Sequence, residues 1–276
     1  MNKFLLPVLL ALTVLVTSAP QPARAESLAT TAERKVFYQF SPKRVDPIRT
    51  DKRLSEVIYE GLVLWVAKPK KGKPTVMYLP GSGGNLHSRG HKFRWFLNRG
   101  YGLVAMAYPG MGGSKGQPSR QKIQNLADKL YRDIPEMTGS KQIILMGESL
   151  GTGVAVAIAA GKPGHANPPS AIILQAPYTS LVDLTAAKNP TLLPFVAGRT
   201  DLWPSKRYIQ NVKAPTFIMH GERDNTVPFR MGKRLYELSP AKNKVLAARA
   251  KAGHTSIWQK NVRQPLREWL EAIHGK

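Results

Sequence analysis

The sequence predicts an α/β fold, a mostly parallel central sheet flanked by helices on both faces, with a small cap insertion. Three observations predict it. From Thr75 onward, short apolar runs of strand length alternate with segments of helix length, and alternation of this kind is the mark of a parallel sheet covered on both sides. The chain has 276 residues, 42% of them apolar, enough to bury one sizeable core. One interval, residues 181 to about 213, breaks the rhythm with proline-punctuated, partly apolar sequence.

The elements follow in order. Lys3 precedes an apolar run from Phe4 to Val16, and Ala23-Arg24-Ala25 precedes Glu26. Residues 1–25 therefore read as a cleaved signal peptide, its apolar run being too short to span a bilayer, with 26–276 as the mature domain in a periplasm or outside the cell. Residues 26–54 are polar and broken by Pro42 and Pro47. They are expected to wrap the surface and to carry no function. Two β-prone runs around Gly61, within Val57–Val66, predict an antiparallel hairpin. Buried strands are expected at 75–79, 103–107, 143–146, 171–174 and 216–219, with a weaker one at 244–248; helices are expected at about 87–98, 120–136, 150–160, 229–237 and 257–273. The interval 181–213, with Leu192-Leu193-Pro194-Phe195 and Leu202-Trp203-Pro204, is either a cap over the site or ordinary packing outside the sheet.

Composition narrows the chemistry. There is no cysteine, which excludes disulfides, thiol nucleophiles and cysteine-ligated zinc. The net charge is +24, and loss of Lys3 and Arg24 with the signal lowers it only by two. In an exported chain such a bias suits peripheral contact with anionic membrane or acidic polysaccharide, or simply a basic, solvated surface. Nucleic acid is not an expected partner, since no zinc-finger or RNA-binding motif occurs. Oligomeric state is not readable.

The chemistry-bearing residues lie after the strands, where open α/β sheets place their ligands. Ile143–Met146 runs into Gly147-Glu148-Ser149-Leu150-Gly151 and then a small-residue helix, which is G-x-S-x-G in strand-turn-helix context. The turn exposes the Ser149 hydroxyl beside a helix N-terminus, where developing negative charge is favoured. A serine hydroxyl needs a general base, and the base needs a group to orient it. Asp224 follows the strand at 216–219, and His254 follows the last strand, so Ser149, Asp224 and His254 occur in the chain order this constellation takes on such a sheet. Glu222 is a rival acid, and His220 reads as a packed strand-end residue. His87, His91, His165 and His274 have no matching acid.

An oxyanion needs preorganised N–H donors. Leu150 supplies the first, at the start of the helix. The second is expected from Ser82, within Pro80-Gly81-Ser82-Gly83-Gly84-Asn85 after the strand at 75–79. This loop fits neither a Walker A nor a dinucleotide-binding glycine motif.

Together with Tyr108-Pro109-Gly110-Met111-Gly112-Gly113-Ser114-Lys115-Gly116, Ala176-Pro177-Tyr178-Thr179-Ser180, His220-Gly221-Glu222-Arg223-Asp224 and Gly253-His254, these segments resemble the α/β-hydrolase superfamily, in its lysophospholipase-like and serine-aminopeptidase-like branch. The resemblance spans residue 57 to the C-terminus. Pro80-Gly81 departs from it, standing where the family usually has His-Gly. What the resemblance implies is hydrolysis of an ester, thioester or amide with no metal or organic cofactor. A carboxylic ester, above all a lipid or lysophospholipid ester, is the leading expectation. A peptidase, an acyltransferase, or a catalytically silent protein binding polyanions or anionic membranes are the other readings.

Overall fold

A computed structural model describes residues 28–161, 167–196, 198, 199 and 202–275. The expected signal peptide, like His165, lies outside them. One eight-stranded sheet runs through the molecule, built from β1 (Ser55–Tyr59), β2 (Leu62–Ala67), β3 (Thr75–Leu79), β4 (Gly102–Met106), β5 (Ile143–Glu148), β6 (Ala171–Gln175), β7 (Thr216–Gly221) and β8 (Lys244–Arg249). The spatial order is β1-β2-β4-β3-β5-β6-β7-β8. The β1–β2 and β2–β4 pairs are antiparallel and the remaining pairs parallel.

Local chemistry explains these elements. The β1–β2 hairpin turns on Glu60 and Gly61, both at positive φ (51° and 78°), with Tyr59 opposite Leu62. That is the two-residue turn whose twist matches paired strands. Strands β3, β4 and β6 are buried along their whole length, as expected for strands covered on both faces. The covering helices are α1 (Leu28–Phe37), α2 (Gly90–Leu97), α3 (Arg120–Thr138), α4 (Leu150–Ala159), α5 (Leu181–Lys188), α6 (Ser205–Tyr208), α7 (Phe229–Leu238) and α8 (Lys260–His274). The predicted helix at 87–98 begins instead as a short 3-10 turn, Leu86–Arg89, capped by Asn85, whose side chain accepts from His87 N–H. The last helix starts at Lys260, three residues later than predicted.

Residues 26–54 correct the sequence reading. They hold helix α1, and they do not merely wrap the surface: Ser41 N–H donates to Gly84 O at 3.0 Å, and Asn85 Nδ2 donates to Lys43 O at 3.0 Å. Glu33, 1% exposed, accepts from Tyr38 Oη (2.6 Å) and Arg120 N–H (2.7 Å) and pairs with Arg199 (3.1 Å). Through Arg120 and Arg199, both outside the segment, this buried carboxylate fastens it to the body of the domain. Lone polar residues in a stretch without clear periodicity conceal this, because partners of Glu33 such as Arg120 and Arg199 lie more than 80 positions away.

Along the chain the sheet grows from β3 to β4 on one side and then crosses to β5 on the other. The loops leaving β3 and β5 therefore diverge, opening a crevice at the strand C-termini where the chain direction reverses.

Candidate active site

The elbow after β5 is built by its glycines. A Cβ on Gly147 would lie 2.5 Å from Gly151 O, and one on Gly151 would lie 1.9 Å from Leu79 O. Only hydrogen fits at either position, which lets α4 press against β3 and forces the turn between strand and helix. Ser149 occupies the apex at φ 48°, ψ −114°, a conformation costly for a residue with a Cβ and held by its surroundings. Its N–H donates to Gln175 O (2.9 Å), and its carbonyl accepts from Thr152 N–H (2.9 Å) and Thr152 Oγ1 (2.6 Å).

Asp224 lies in the loop after β7 and is 6% exposed. Its Oδ1 accepts from the N–H groups of Thr226 (2.9 Å) and Val227 (2.8 Å), while Oδ2 lies 2.7 Å from His254 Nδ1. Burial alone pushes this carboxyl up. Hydrogen bonds from His220 and His254, the charge of His254 and the Val227 N–H outweigh it and hold the group well below the usual carboxylate range. An ionised Asp224 can only accept, so the His254 proton sits on Nδ1 and Nε2 is left as a proton acceptor. His254 is partly exposed and lines the same cleft as Ser149.

The rivals separate cleanly. Glu222 is exposed. His220 is fully buried, as a packed residue should be, but its Nε2 also lies 3.3 Å from Asp224 Oδ2 and 2.9 Å from Val227 O. Val227 O can only accept, so Nε2 carries the proton and the imidazole helps to fix the acid loop. His87 bonds Thr50 Oγ1 at 2.7 Å.

Ser82 and Leu150 both face the cleft at Ser149. Among the described residues neither backbone N–H has a protein acceptor, so both are free to meet an anionic oxygen. Pro80 in place of His leaves the loop close to the elbow: a Cβ on Gly81 would lie 3.3 Å from both Glu148 O and Ser149 Cβ.

The cleft has two lobes that share Ser82, Ser149 and Thr226. One, of about 190 Å³, is mostly apolar, with Val36 and Phe37 of α1 facing Leu181, Leu184 and Thr185 of α5. The other, of about 410 Å³, is lined by the glycine loop, Arg89, His91, Lys92, Glu148 and His254. The interval 181–213 thus splits in two. Its first part walls the apolar lobe, while Leu202, Trp203, Ile209 and Val212 are wholly buried in the core.

Glu148, the variable position of the serine motif, is a site residue that sequence reasoning missed. It accepts from Lys92 Nζ at 2.6 Å and from Tyr78 Oη, and pairs with Arg89 at 3.4 Å. Arg89 also donates to Asn85 O at 2.9 Å, so the cluster ties the elbow to the glycine loop. Burial pushes the Glu148 carboxyl up, yet Lys92 and Arg89 bring it down to about 2. The available signal was an acid at the buried end of a strand, which requires a cation nearby.

Known proteins resemble this chain in sequence and in fold. The family model described as serine aminopeptidase, S33, matches residues 70–206, about half of the chain and including Ser149 but neither Asp224 nor His254. The chain is 29% identical over 191 residues to a zebrafish (Danio rerio) protein named lysophosphatidylserine lipase ABHD12, covering 63% of this chain and 50% of that one. It is 30% identical over 187 residues to human (Homo sapiens) protein ABHD12B, covering 62% and 51%. The chain thus spans about half the length of the curated relatives it matches. Among solved structures, an esterase from Pyrococcus furiosus superposes with a TM-score of 0.65 at 20% identity, covering 86% of this chain and 96% of that one. A monoacylglycerol lipase from Paleococcus ferrophilus gives 0.60 at 19%, covering 77% and 99%. With its sheet order, its elbow and these likenesses, the chain has the α/β-hydrolase fold.

Proposed function

We propose that the protein is an exported serine hydrolase that cleaves carboxylic esters of single-chain lipids through an acyl-Ser149 intermediate. One observation carries this reading: a buried, ionised Asp224 bonded at 2.7 Å to the Nδ1 of His254 in the cleft of a left-handed Ser149. In this scheme His254 Nε2 takes the Ser149 proton as Oγ attacks the ester carbonyl, and Asp224 steadies the imidazolium. The N–H groups of Ser82 and Leu150 hold the oxyanion, where loss of one donor typically costs ~10²–10³ in turnover. The imidazolium returns its proton to the leaving alcohol, and a water activated by the same base then releases the acid and restores Ser149.

Lipid specificity is supported by the apolar lobe beside Ser149 and by relatives named as a lysophosphatidylserine lipase and a monoacylglycerol lipase. Export is supported by the Lys3, Phe4–Val16 and Ala23–Ala25 pattern. Intact mass after expression with the full N-terminus tests it, a chain starting at Glu26 being the expected result.

The activity test is fluorophosphonate labelling of the purified protein beside Ser149→Ala, with monoacyl esters, matched amides and peptides assayed in parallel. One adduct on the wild type, none on the variant and a loss of at least ~10³-fold in ester turnover are expected. A folded wild type that takes no label and cleaves none of these substrates overturns the proposal.

A further inference from the structure

Outside the cleft, a second concavity of about 400 Å³ lies between the end of α2 and the first two turns of α8, lined by Trp95, Arg99, Lys260, Arg263, Gln264 and Arg267. Its chemistry is one-sided. Lys260, Arg263 and Arg267 fall at i, i+3 and i+7, one stripe of a helix, and this stripe meets Arg99. The acids nearest Arg267, Glu268 and Glu271, approach it only at 3.9 Å and 3.8 Å.

Three features set this cluster apart from a solvated basic face. Arg99 is held in place: Nη1 donates to Trp95 O at 2.7 Å, and the guanidinium stacks 4.1 Å from the Trp95 ring centroid. The Nε atoms of Arg99 and Arg263 are buried without a hydrogen-bond partner, an expense that native structures rarely carry unless something satisfies it. Lys260 and Arg263 sit in the first turn of α8, which holds no acid and whose N-cap residue Gln259 makes no side-chain cap. Cations there oppose the helix dipole, and a bound anion relieves that conflict. Burial, followed by the charges of Arg267 and Arg263, also pushes the Arg99 guanidinium down, the direction expected of a cation crowded by its own kind.

We infer that this concavity is a binding site for a phosphate-type anion, presented by a lipid headgroup or free in solution, separate from the Ser149 cleft. Planar guanidinium groups match phosphate oxygens in pairs. The inference does not depend on the role of Ser149.

The experiment uses the purified protein, Arg263→Gln/Arg267→Gln, and Lys233→Gln/Lys242→Gln, which removes equal charge from exposed sites elsewhere. Each is titrated with inorganic phosphate by calorimetry and sedimented with phosphatidylcholine vesicles with and without phosphatidylglycerol. Saturable phosphate binding, or retention on phosphatidylglycerol vesicles, is expected to weaken at least ~10-fold in the arginine pair and to be unchanged in the lysine pair. Vesicle binding without phosphate binding identifies the headgroup as ligand, and the converse identifies the free ion. Equal losses in both variants, or no binding of either probe to the wild type, overturn the site. Turnover of a soluble short-chain ester by both variants should equal that of the wild type and shows that they are folded.

Discussion

Ser149, Asp224 and His254 were each legible as residues that follow a strand, β5, β7 and β8 ending one, three and five residues earlier, whereas Glu148 was not. A nucleophile motif advertises itself through its glycines, but the role of the residue between them depends on Lys92 and Arg89, more than fifty positions upstream. Two predictions belong here. Asp224→Asn keeps the loop bonds to Thr226 and Val227 within reach but favours the wrong His254 tautomer, so kcat is expected to fall by about 10⁴ with folding retained; circular dichroism beside ester kinetics checks it. Glu148→Gln leaves Lys92 and Arg89 buried without a counter-charge and is expected to cost about 3 kcal/mol, part of it recovered by adding Lys92→Met. Both carboxyls have depressed folded pKa values. Their contribution to stability is therefore complete above the ordinary carboxylate pKa of about 4 and is lost as pH falls through the folded values. Urea unfolding from pH 6 down to pH 3 should show a shallower decline in Glu148→Gln than in the wild type.

At the scale of elements, apolar runs of strand length located all eight strands, the inner parallel ones most clearly, since a strand covered on both faces must be apolar on both. The same logic failed for residues 26–54. Helix α1 is short and anchored by Glu33, and propensity alone does not mark such a helix against a polar background. It also supplies Val36 and Phe37 to the apolar lobe. Phe37→Ala is accordingly expected to lower kcat/KM roughly tenfold for long-chain acyl esters, through lost apolar burial, and to leave acetyl esters nearly unchanged. An equal loss on both would assign Phe37 to folding rather than to acyl recognition.

Across the whole molecule, net charge and core act in opposition. Among the described residues sixty-odd buried apolar side chains form one continuous core, while a formal charge of +24 repels itself across the surface. Among the described residues no helix is long and apolar enough to cross a membrane. Raising NaCl from ~10 mM to ~300 mM is expected to raise the thermal midpoint by screening this repulsion. A falling midpoint would mean that ion pairs such as Lys92–Glu148 and Arg199–Glu33 outweigh it.

The sequence by itself determined the strand positions, the elbow, the chain order of Ser149, Asp224 and His254, and the fold class, because each is written in local patterns of apolar residues, glycines and loop ends. Only the tertiary structure decided which acid meets His254, that Glu148 and Arg89 bind the elbow to the glycine loop, that α1 and α5 wall one lobe, and that Arg99 joins the α8 stripe. All four depend on contacts between residues distant in the chain, whose geometry is set by the packing of layers and leaves no periodic trace in any one segment.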